Sequence, residues 1–183
     1  RSDAAGAAVL KVAPDDAGGR YPLIALVGTD AVDAEHGPVT QPFVLRAPAD
    51  RPALISPLTT LVKAQVDATG STSAEVERSL REQLGLDASL LVDYSAGGSA
   101  HATALARLAR LVVLIKQQAA VELQSSVGTQ DISGASITSD DLQRAVDRQV
   151  ALRLPEVGAV LGSDAVRNAA DAAQRDAALG AAA

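Results

Sequence analysis

Apolar positions along the chain follow two different rhythms, and the change falls near residue 55. Before it lie short apolar runs, "AAVLKVA" (7–13), "YPLIALVG" (21–28) and "PFVLRA" (42–47), separated by turn formers such as "PDDAGGR". Runs of this length bounded by Gly, Pro and Asp predict strands. The expected arrangement is an antiparallel three-stranded meander, with Pro22 and Pro42 at strand starts or edges because proline has no N–H for a ladder. A sheet this small needs helices over one face.

Beyond residue 55 the spacing becomes helical. Ser56 is a good N-cap, Pro57 suits the first helical position, and Leu58, Leu61 and Val62 follow at helical intervals until Gly70 stops the run. "STSAEVERSLREQLGL" repeats the logic: Thr72 and Glu75 form a capping box, Val76, Leu80 and Leu84 make one stripe, and Gly85 ends it. The strongest helix is expected over 99–125, with Leu105, Leu108, Val112, Ile115 and Ala119 in a heptad-like stripe. Within it "LVVLI" (111–115), flanked by Arg110 and Lys116, reads as a buried segment. Ser139 is expected to cap a fourth helix carrying Leu142, Val146 and Val150 as far as Pro155, and an Ala-rich fifth helix to run over 163–179. The expected fold class is therefore α+β and predominantly α, a small N-terminal antiparallel β meander followed by a bundle of about five helices. A β-rich subregion 1–54 and a helical subregion 55–183 are expected to pack as one compact unit.

Composition narrows the function classes. The 48% hydrophobic content of these 183 residues leans on Ala, with aromatics at only 2%, which suits closely packed helices better than a large sandwich. A net charge of -6 with scattered Lys and Arg argues against nucleic acid and against an anionic membrane surface. No apolar run approaches the ~20 residues of a transmembrane segment. The absence of Cys removes disulfides, thiol nucleophiles and thiolate metal sites together. Because the chain opens on Arg1 and contains no Met, it is expected to be a mature, cleaved protein or a fragment of a longer one.

Candidate chemistry is sparse. Asp30, Asp33 and Glu35 share the loop "GTDAVDAEHGP", and a loop can fold carboxylates around a hard cation; they are the candidate ligands for calcium. The spacing lacks the EF-hand alternation and its distal Glu, so the pattern favours an acidic surface turn. No other cofactor is expected. His36 and His101 are far apart, and neither has a second His one helical turn away. "AGGSAH" (96–101) has neither the Lys of a phosphate loop nor the surroundings of a nucleophile elbow. Asp15 with Asp16 and Asp140 with Asp141 read as turn and first-turn helix charges. No catalytic residue is assigned.

The stretch "GGRYPLIALVGTDAVDAEHGP", followed by "LISPLTTLVKAQVDATGSTSAEVERSLREQLGL", resembles a region of bacterial secreted proteins and lipoproteins. In that region a carboxypeptidase-regulatory-like or similar β domain ends in a phrase such as "SPLTTLV" and leads into a helical segment. The resemblance covers roughly residues 18–95 and is most specific at Ile55 to Val62. It implies a location, extracellular or at the bacterial cell surface, including outer membrane or periplasm, and brings no catalytic residue with it. The expected function is a non-enzymatic structural or interaction module whose partners are proteins, through self-association or neighbouring domains of a longer chain. Two alternatives are a self-assembling subunit of an extracellular filament or layer that uses its termini, and a domain binding a small apolar ligand between helices. The chain has few strands before residue 55 for a full sandwich, so an unpaired edge is open to preceding sequence or another chain.

Overall fold

The computed structural model describes residues 1–16, 19–34, 36–95, 98–129, 141, 144–153, 174 and 177. Its strands form one long hairpin. β1 (Leu23–Val27) pairs antiparallel with β4 (Phe43–Ala47), and β2 (Val32–Asp33) pairs antiparallel with β3 (Gly37–Pro38). Partner numbers add to 70 in both ladders, as in Leu23 with Ala47 and Val32 with Pro38. In the same register the Val39 amide donates to the Ala31 carbonyl at 3.0 Å. The second ladder is therefore the outer end of the first hairpin.

The expected three-stranded meander does not form, because the described strands make two two-stranded ladders. Residues 7–13 are exposed and outside any ladder. Pairing instead joins runs with larger side chains: Phe43, Val44 and Leu45 face Val27, Leu26 and Ala25. Such side chains suit a paired, pleated surface, whereas "AAVLKVA" is rich in alanine.

The expected bundle of about five helices is not found among the described residues either. Among the described residues the helical elements are a single 3-10 turn (Pro14–Asp16), α1 (Pro57–Thr69), α2 (Ser73–Leu84), α3 (Ala100–Thr129) and the stretch 144–153. α3 takes up more chain than expected, 30 residues, since "VELQSS" offers no proline or glycine to stop it at Ser125. Ser139, Leu142 and residues 163–179, apart from helical Gln174 and Ala177, lie outside the described residues.

The first two helices begin and end where their sequence signals say. Ser56 caps α1 with Pro57 behind it, Thr72 caps α2, and Gly70 and Gly85 close the two helices in the left-handed conformation at φ 71° and 63°. Ser99 caps α3, its hydroxyl accepting from the Ala102 amide at 3.1 Å. The core is helical: Leu58, Leu61 and Val62 of α1, Val76 and Leu80 of α2, and Leu105, Leu108, Val112 and Ile115 of α3, with Leu90 and Val150. Full burial of each such side chain contributes about 1.5–3 kcal/mol. Among the described residues no helix is long and apolar enough to cross a membrane.

Candidate functional site

The phrase "SPLTT" becomes a polar joint between hairpin and helices. Ser56 Oγ accepts from the Thr59 amide at 3.2 Å, while Thr59 Oγ1 accepts from the Ser56 amide at 2.8 Å, a reciprocal capping box. Sequence reasoning missed this box because Thr stands where Glu or Gln is usual. Both threonines also reach the hairpin. Thr60 Oγ1 accepts from the Arg46 amide at 2.8 Å, and the Arg46 carbonyl accepts from Thr59 Oγ1 at 2.9 Å and Thr60 Oγ1 at 3.2 Å. Two successive hydroxyls of α1 thus take the place of a third strand along β4. Thr59 and Thr60 are 1% and 2% exposed, so losing the partner of a buried amide or carbonyl here costs about 1–3 kcal/mol.

Neighbouring contacts tighten the joint. Ser73, at the start of α2, donates to the carboxylate of Asp50 in the segment leaving β4. Tyr94, most of it covered, has its phenol pushed up to about 12, chiefly by burial, although a bond with the Ser56 side chain pulls the other way. In the connector before α3, hydrogen bonds from the side chain and amide of Ser95 hold the Asp93 carboxyl below the usual carboxylate range.

Beneath the joint lies a buried charge cluster that spacing did not announce. Lys116 of α3 donates to Asp147 Oδ1 at 2.5 Å, with the two side chains 2% and 8% exposed. The Arg46 guanidinium stands 3.9 Å from Asp147 Oδ2. One carboxylate thus connects β4, α3 and the helical stretch 144–153. Burial lowers the Lys116 pKa, and Asp147 opposes that shift by favouring the ammonium. Lys116 looks from sequence like the polar border of "LVVLI", but it faces the same core. The only sequence signal was a Lys ending an aliphatic run that continues at Ala119 on the same helical stripe. The adjoining crevice, lined by Thr60, Leu61, Val112 and Val150 among others, is too tight for a ligand. The cluster's chemistry is that of a fixed electrostatic tie.

The predicted acidic loop is arranged otherwise. Asp30 pairs with Arg1 at 2.8 Å, both exposed. Asp33 Oδ1 accepts from the His36 amide at 2.8 Å and meets its ring Nδ1 at 3.0 Å. Glu35 lies outside the described residues. The loop forms a turn held by its own side chains, and among the described residues no three His, Asp or Glu groups are gathered as metal ligands. His101 is exposed in the first turn of α3, far in sequence from His36.

No protein-family model matches the chain, and comparison with curated proteins and with solved structures finds no similar chain.

Proposed function

We propose that this chain is a non-enzymatic structural module of a bacterial exported or cell-surface protein, in which a β arm is held at a set angle to a helical body. The observation that carries the reading is the pair of hydroxyls, Thr59 and Thr60, bonded to both backbone groups of Arg46. The resemblance of "SPLTTLV" to the β-to-helix transition of secreted proteins and lipoproteins supports the location. A joint of this kind transmits orientation, because the arm cannot pivot without stripping buried polar groups of their partners.

Backbone relaxation of the full chain tests the reading. The amides of β4 are expected to match those of α3 in order parameter, near ~0.85. In the Thr59→Val/Thr60→Val double variant β4 drops towards ~0.6 while α3 stays rigid. An arm already moving independently in the parent protein defeats the proposal. Location is tested by treating intact producing cells with a membrane-impermeant amine reagent. Modification of Lys11 before lysis is expected, and modification only after lysis overturns the surface assignment.

A further inference from the structure

The joint also fixes which way the hairpin's spare hydrogen bonds point. The Arg46 amide and carbonyl both turn towards α1. In an antiparallel ladder its partner Ile24 therefore sits in a non-hydrogen-bonded pair and turns its own N–H and C=O away from β4. Alternation places the N–H and C=O of Leu26 on the same outer edge. The side chains of these two residues are 58% and 81% exposed. Among the described residues no strand pairs with this outer edge of β1, and its side chains are apolar, an arrangement that accepts another strand.

The same chain carries an unused strand. Residues 7–13 lie outside any ladder, with Val9 90% exposed and Leu10 and Val12 also exposed. They do not pair with the outer edge of β1 in their own chain. We propose that residues 7–13 of one copy add antiparallel to β1 of a second copy. Charge sets the orientation. An antiparallel strand brings its N-terminal end, preceded by Arg1, to the Asp30 and Asp33 end of the hairpin, and carries Asp15 and Asp16 towards Arg20. A parallel strand instead brings Asp15 and Asp16 against Asp30 and Asp33. The Arg1–Asp30 pair, exposed on both sides, is remade between copies at little cost. One-way addition leaves a free strand at one end and a free edge at the other, so assembly continues, whereas reciprocal exchange closes at two copies.

This inference rests on the structural-module reading and names its partner, but it fails separately: a monomer with a rigid joint removes the exchange and leaves the joint intact. The test is light scattering of the full chain across concentration. Mass is expected to rise with concentration, and the rise to vanish both on deletion of residues 1–13 and in Leu26→Pro. The proline removes an outward N–H without touching the bonds to β4, and circular dichroism checks that the variant is folded. Because the chain has no Cys, a second measurement uses introduced thiols. Chains with Leu10→Cys are mixed with chains carrying Leu26→Cys and treated with a short bis-maleimide. A cross-linked heterodimer is expected. It should be absent when Leu152→Cys, 68% exposed on the helical body, replaces Leu26→Cys. Monomers at every concentration, association that survives the deletion, or cross-linking only within one chain of a Leu10→Cys/Leu26→Cys double variant would each overturn the exchange.

Discussion

The helical body and the hairpin arm use similar aliphatic residues but cover them very differently. Leu58, Leu108 and Ile115 are sealed in a core shared by three helices, while Ile24 and Leu26 stand in solvent on a two-stranded ladder. A two-stranded unit of this kind has little stability of its own. The arm borrows its order from the body through the hydroxyl contacts at Arg46, the charge cluster under them and the Ser73–Asp50 bond beyond β4. Stability and availability are thus separated: the body folds, and the arm carries an edge that no other strand occupies among the described residues.

The sharpest way to break that contrast is the same substitution on each side of it. Leu61→Asp places an unpaired charge in the core and is expected to cost about 4 kcal/mol or more, enough to unfold a marginal domain. Leu26→Asp, at a site 81% exposed, should change stability by less than about 0.5 kcal/mol. Urea titrations of both variants give the comparison. Equal losses would mean that the arm belongs to the core.

A smaller effect tests whether the tie between the two regions is electrostatic. Asp147→Asn leaves Lys116 buried without a counter-charge and is expected to cost about 3 kcal/mol. Replacing both partners, as Lys116→Met/Asp147→Leu, should recover most of the loss, because an apolar pair of similar volume avoids the desolvation penalty. If the double variant is as unstable as the single one, Asp147 acts mainly through Arg46, and the tie belongs to the arm more than to α3.

Much of the body was legible in the sequence. Its helix signals act within one or two turns: Ser56 and Thr72 cap, Gly70 and Gly85 stop, and the stripes of Leu and Val become the core. The arm was less legible because strand pairing is decided between distant segments. The run at 7–13 shares the short apolar pattern of the one at 43–47 but is richer in alanine, and it stays outside any ladder although β4 occupies only one edge of β1. The joint lay between these cases. Ser56 and Pro57 announce the helix, but nothing local says that Thr59 and Thr60 will bond a strand 13 and 14 residues away. The Lys116–Asp147 tie, spanning 31 residues, left in the sequence only a Lys on the α3 stripe and nothing that points to its partner. The acidic loop shows the converse: Asp30 and Asp33 stood out by composition, yet their carboxylates engage Arg1 and His36.

The gentlest probe of the joint is alkaline pH acting through Tyr94. Burial is the main reason its phenol is raised to about 12, with Asp93 and Asp33 adding to the rise and the Ser56 bond reducing it. An unfolded tyrosine titrates near ~10. The folded protein therefore holds this proton more tightly than the unfolded chain, so the contribution to stability is complete below about pH 10 and is lost as pH climbs towards about 12. Near pH 11 the loss is about 1 kcal/mol. Lys116 works in the opposite sense, since burial makes its folded form give up a proton more readily than the unfolded chain does. Its contribution rises as pH climbs from the lowered value towards the ordinary lysine range. The two are separated by comparing the parent with Tyr94→Phe, which keeps Lys116 unchanged. The parent should lose more stability than the variant between neutral pH and about pH 11 in urea titrations. Parallel curves would mean that the phenol titrates freely in the folded state, and the cover that the joint places over Tyr94 would then be too loose to hold the arm.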